Sequence, residues 1–116
     1  MKHIKVKKFG SGNDHLLIIS KPRVVNRVIY FLQSYDSIIA RAVHDAEGVF
    51  IDLTLDSKIW DLTRTTAKHR NDFLGRFTPW AVNDTNNTTK RISTGDIVLE
   101  KLNSKKHYEE LEERMS

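Results

Sequence analysis

Cysteine is missing altogether from the 116 residues, and that absence removes several classes of protein together. Disulfide scaffolds, zinc fingers, iron–sulfur clusters and thiol nucleophiles all need a thiol, and a chain without one suits a reducing cytosol. Long apolar runs are missing too: the longest, Val28-Ile29-Tyr30-Phe31-Leu32, falls far short of the 18 or so residues that a membrane helix needs. The N-terminus alternates lysine with apolar residues and offers no apolar signal core, so a cytoplasmic location without a membrane partner is expected. Proline occurs only twice. Pro22 breaks the chain after an apolar run, and Pro79 follows a helical segment. At this length one domain is the simplest organisation, able to bury roughly two thirds of its unfolded surface.

Acidic residues are scarce at the front of the chain. From Met1 to Tyr30, Asp14 alone opposes Lys2, Lys5, Lys7, Lys8, Lys21, Arg23 and Arg27, whereas Glu109, Glu110, Glu112 and Glu113 crowd the last twelve residues; the net charge is +4. Two readings compete for this asymmetry. Lys5, Lys7, Arg23 and Arg27 could form a basic face that meets nucleic acid. Alternatively, lysines along a first strand are its solvent face and protect a sheet edge.

Periodicity supplies the elements. His3, Lys5 and Lys7 alternate with Ile4 and Val6, the pattern of a half-buried strand, and Phe9 to Asp14 is a glycine-bearing turn. His15 to Ser20 is apolar on both faces and reads as a central strand. Val24 to Gln33 is β-branched and aromatic and reads as a third strand, with a helix over Arg23 to Leu32 as its rival. Ser34-Tyr35-Asp36-Ser37 is a turn, and Ile38–Val43 and Val49–Leu55 form a hairpin bent at Gly48. Trp80-Ala81-Val82 reads as one more short strand and Asn83 to Lys90 as a loop. Ser93 or Thr94 is placed to cap a helix through Asp96 to Leu102, and Ser104 to cap a last helix striped by Tyr108, Leu111 and Met115. The expected fold is therefore α+β: an antiparallel β meander of about five strands in one domain over residues 1–103, with a short helix packed on one face and a charged C-terminal helical tail over residues 104–116.

That short helix spans Thr66 to Leu74, with Thr65 and Thr66 as rival N-caps and Gly75 as the left-handed residue that ends it. Arg64, Lys68 and Arg70 give its opening the wrong sign: each cation near the positive end of a helix dipole costs about 0.3 to 1 kcal/mol. A bound anion would reverse that cost, so Arg64, Thr65, Thr66, Lys68, His69 and Arg70 are the candidate binding residues for an anion or a partner. The plainer reading is a capped helix with His69 packed on Phe73 one turn away.

The run Ser34-Tyr35-Asp36-Ser37-Ile38-Ile39-Ala40, followed by the hairpin and by Thr65-Thr66-Ala67-Lys68-His69 with Phe73-Leu74, resembles a group of small uncharacterised proteins encoded by bacteriophages and prophages. Those proteins share a Ser-Tyr-(Asn/Asp)-Thr turn and a Thr-Thr-x-(Lys/Arg)-His-x-x-x-Phe-Leu helix. The match runs from about Gln33 to Leu74. Ser37 stands where the group has threonine, and Trp60 alone represents the aromatic-rich segment before the double threonine. The resemblance implies a phage origin and a shared fold. It brings no activity, substrate or catalytic residue.

Enzymatic motifs are sparse. Gly10-Ser11-Gly12 lacks the third glycine of a dinucleotide loop and the lysine of a P-loop. The five histidines show no i, i+4 pair and no His-x-His, so no metal site or cofactor is expected. His44-Asp45 could orient an acid–base histidine or be a polar hairpin end, and Asp52, Asp56 and Asp61 could gather around magnesium or face solvent. No serine lies in a nucleophile elbow, and no catalytic residue is assigned. The expectation is a non-enzymatic phage accessory protein that binds a host macromolecule, such as a defence or replication protein. The alternative is direct binding of nucleic-acid phosphates through the basic strand and the helix N-terminus, with Tyr30, Phe31 and Tyr35 as stacking faces.

Overall fold

The computed structural model describes residues 3–10, 15–21, 26–80 and 85–103; the expected tail over residues 104–116 and the candidate Arg23 lie outside them. Among the described residues eight elements follow one another: β1 (His3–Lys8), β2 (His15–Lys21), β3 (Arg27–Ser34), β4 (Ser37–Asp45), β5 (Phe50–Asp56), α1 (Arg64–Phe77), α2 (Thr85–Ser93) and β6 (Ile97–Glu100). The strands form one six-stranded sheet in chain order, antiparallel from β1 to β5, with β6 parallel to β5. Two parallel neighbours need a crossover, and α1 and α2 supply it.

Alternation along β3 divides the core. Leu32, with Leu17, Ala42, Leu53 and Leu55 of neighbouring strands, belongs to the cluster that holds Phe73 and Leu74 of α1, while Ile29 and Phe31 belong to a second cluster with Val43 and Leu102. This is the period of two that a strand requires, and from Arg27 to Leu32 the rivalry goes to strand. A register shift at Leu32/Gln33 pairs Leu32 with Ala40 and Gln33 with Ile38. Ile39 is the extra residue, and both Ile39 and Ala40 join the helix-side cluster. Phe73 and Leu74 are fully buried, each contributing about 1.5–3 kcal/mol, enough to hold a helix too short to be stable alone.

Several expectations are corrected. The sheet has six strands instead of five. The apolar face expected of β1 is not buried at Val6: Lys5, Val6, Lys7 and Lys8 are all exposed, because β1 is an edge strand and α1 packs over β3 and β4. Residues 97–100 are a strand, since Ile97 is buried in the helix-side core and β5 offers an open edge whose N–H and C=O groups need partners. Ser93 accordingly ends α2 instead of starting a helix, its hydroxyl donating to the Thr89 carbonyl at 3.1 Å. The expected loop at 83–90 contains the start of α2. Trp80 lies in a bend, packed on Phe50 at 5.3 Å, and Ala81 and Val82 lie outside the described residues.

Candidate functional site

The N-cap of α1 lies two residues before Thr65 and three before Thr66, the two rival caps. Thr63 is the N-cap: its side chain accepts from the Thr66 N–H at 3.0 Å and its hydroxyl donates to Thr66 Oγ1 at 3.0 Å. Thr66 is buried and Thr65 exposed. The N–H groups of Arg64 and Thr65 point out of the first turn with no acceptor inside the helix. At the other end Gly75 lies within α1, and Thr78 closes it by donating from N–H and Oγ1 to the Leu74 carbonyl at 3.0 and 2.6 Å.

Of the six candidate residues, Arg64, Thr65 and Lys68 are exposed, His69 is half-buried, and Thr66 and Arg70 are buried. Arg70 does not belong to an anion site. It shares a helix face with Thr66, Phe73 and Leu74, and its side chain is fully buried. The guanidinium donates to the Trp60 carbonyl at 2.7 Å, to Asp61 Oδ1 at 3.0 Å and to Asn71 Oδ1 at 2.9 Å, and lies over the Trp60 ring at 5.1 Å. Burial pulls its pKa down, and the Asp61 hydrogen bond and charge oppose that shift. Arg70 thus ties the segment between β5 and α1 onto the helix.

His69 is also placed otherwise than expected. Its Nδ1 faces the Thr65 carbonyl at 2.8 Å and therefore donates to it. The ring does not pack on Phe73, which turns instead to Phe9 and Phe77. His69 stacks face to face on His15, with centroids 3.8 Å apart and planes 6° from parallel. His15 is buried, with Nε2 2.9 Å from Ser34 Oγ and its ring 5.8 Å from that of Tyr35. Sequence reasoning missed His15. The available signal was its alternation with Leu17 and Ile19, which places it on the helix face of β2.

These contacts bring together the two segments that carried the resemblance. The Ser34–Ser37 turn and the first turn of α1 enclose an open cleft of about 340 Å³. Ile39 and Ile59 line its apolar part, and Ser37, Thr63, Thr65 and Thr66 bring side-chain hydroxyls. Asp36 adds a carboxylate. Tyr35 and Leu62 also line it and are 62% and 66% exposed. Tyr35 holds a left-handed backbone, φ +53°, in the two-residue connection from β3 to β4, a geometry costly for a side chain other than glycine or asparagine. The Gln33 side chain donates to its carbonyl at 2.7 Å and supports the turn.

A second cleft of about 320 Å³ adjoins the first, sharing Ser37 and Ile59 and lined further by Asp56, Lys58, Lys101 and Asn103. Asp56 is buried with both oxygens in use: Oδ2 accepts from the N–H groups of Lys58 and Ile59, and Oδ1 from the Leu102 N–H and Asn103 Nδ2. It does not gather with Asp52, which is exposed, or with Asp61, which pairs with Arg70. Among the described residues no group of three His, Asp or Glu side chains is arranged to hold a metal ion. Asp45 does not orient His44. Its carboxylate accepts from the N–H groups of Glu47 and Val49, while His44 Nε2 lies 2.7 Å from the Phe77 carbonyl.

The possible basic face is divided. Lys5 and Lys7 are exposed on the β1 edge, and Arg27 is exposed at the start of β3. Lys7 is level with Leu17 and Leu32, and Lys5 with Ile19 and Tyr30, so Arg27, five and three residues back along β3, stands about 17 and 10 Å further along the sheet. Comparison with family models, curated proteins and solved structures gives no match to this chain. No described helix is long and apolar enough to cross a membrane.

Proposed function

We propose that this protein is a non-enzymatic accessory protein of phage origin, acting in the cytoplasm of the host cell by binding a host protein through the cleft between the Ser34–Ser37 turn and α1. One observation carries this reading: two large side chains, Tyr35 and Leu62, stand exposed around a recess with an apolar base and a hydroxyl-bearing wall. Exposed aromatic and aliphatic anchors around a small concave site are the chemistry of protein recognition. Asp36 in the same cleft disfavours a phosphate there, and the burial of Arg70 removes one of the three cations on which an anion site would rest. Nucleic acid remains the second reading because Lys5, Lys7, Arg64 and Lys68 are all exposed.

The test is affinity recovery from nuclease-treated host lysate with the wild type and with Tyr35→Ser/Leu62→Ser. A protein retained by the wild type after nuclease and lost by the variant is the expected result. Recovery that disappears with nuclease supports the second reading, and equal retention by the variant removes the cleft from consideration.

A further inference from the structure

The second cleft specifies what the bound partner must carry. Its one carboxylate, Asp56, is consumed by four donors from the chain itself and is buried. Its two cations, Lys58 and Lys101, are exposed and have no ion-pair partner among the described residues. Among the described residues, charge on this side is therefore uncompensated and positive. The first cleft, joined to it at Ser37 and Ile59, is apolar at its base, and its lining carboxylate is Asp36. Each cleft lies at the lower end of the range of ligand pockets, about 300–1,000 Å³, and the two are neighbours with Ser37 and Ile59 in both linings.

Resting on the protein-binding reading above, we infer that the two clefts act as one groove that receives an extended peptide segment of the partner: an apolar side chain enters between Tyr35 and Leu62, and a carboxylate beside it meets Lys58 and Lys101. The apolar anchor supplies affinity by leaving water. The carboxylate sets direction along the groove, because reversing the segment would bring it toward Asp36.

The experiment pans a displayed library of random twelve-residue peptides against the full-length protein. Enriched peptides are expected to place Asp or Glu near a large apolar residue. For a labelled synthetic copy of one such peptide, Lys58→Gln/Lys101→Gln should weaken binding severalfold and Lys58→Glu/Lys101→Glu by about tenfold or more, from the loss of two exposed pairs and the added repulsion. Re-panning on the Glu variant should select Lys or Arg at the same place. Circular dichroism confirms that both variants fold. Peptides that depend on Tyr35 and Leu62 but show no acidic preference and no response to the lysine variants overturn the inference and leave the protein-binding reading intact. No enrichment at all, or displacement of the selected peptide by a short oligonucleotide, overturns both.

Discussion

Replacing Arg70 tests the tertiary arrangement most directly, because the charge pattern and the structure predict opposite signs. Were Arg70 a solvated cation near a helix N-terminus, its removal would stabilise the protein by about 0.3 to 1 kcal/mol. The structure places it fully buried, bonded to the Trp60 carbonyl, Asp61 and Asn71 and lying over the Trp60 ring. In Arg70→Ala the Trp60 carbonyl and the Asn71 oxygen lose these donors, at about 1 kcal/mol or more each where water cannot replace them. A void also opens under Trp60 beside Phe73, comparable to a large-to-small core change of about 2–5 kcal/mol. Asp61 is 41% exposed, so water recovers much of its loss and the ion pair itself adds little. Since these effects overlap, a net loss of about 3–4 kcal/mol is expected. Arg70→Met fills the void and should lose about half as much. With a urea dependence of about 1.5 kcal/mol per molar, the Ala variant's midpoint falls by about 2 M. A midpoint within about 0.5 M of the wild type would refute the buried arrangement, and an increase would restore the solvated one.

Three other outcomes are expected. Thr63→Ala should cost about 1–2 kcal/mol in urea unfolding and Thr65→Ala less than about 0.5 kcal/mol, because Thr63 accepts the first-turn N–H and Thr65 is exposed; the reverse order would move the cap. Gly10→Ala should destabilise by about 1–3 kcal/mol, since Gly10 has φ +82° and an added Cβ would come within 2.5 Å of His69 Nε2; an unchanged thermal midpoint would show that His69 does not sit there. Asp96 is held below its ordinary pKa by hydrogen bonds from Arg91 and Thr94, so the contact contributes stability above the unfolded-state pKa and loses it as pH falls through the folded one. Carboxyl NMR titration should give an Asp96 midpoint below that of a model aspartate, moving up in Arg91→Gln, and an ordinary midpoint in the wild type would count against the contact.

Legibility followed the range of the forces involved. The turn at residues 34–37 and the hairpin at Gly48 were readable because turn chemistry acts within a few residues. The helix legible at residues 66–74 extends from Arg64 to Phe77, since its caps are two more threonines, Thr63 and Thr78, in a stretch already rich in them. Residues 97–100 form a strand where the local pattern reads as helix, because four residues carry too little local preference to outweigh an open strand edge beside them.

By itself the sequence determined an α+β chain: His15–Ser20, apolar on both faces, and the β-branched and aromatic run before Gln33 make a sheet with two apolar faces, and Phe73 and Leu74 give α1 something to bury against one of them. What each charged or aromatic side chain does was decided only by tertiary structure. Arg70 is a structural tie instead of a binding cation because Trp60 and Asp61, ten and nine residues earlier, fold back over it. His69 pairs with His15, 54 positions away, because α1 lies over the start of β2. The cleft exists for the same reason. Its two walls are separate turns of chain, and only the packing of α1 on the sheet brings Tyr35 and Leu62 to the same opening.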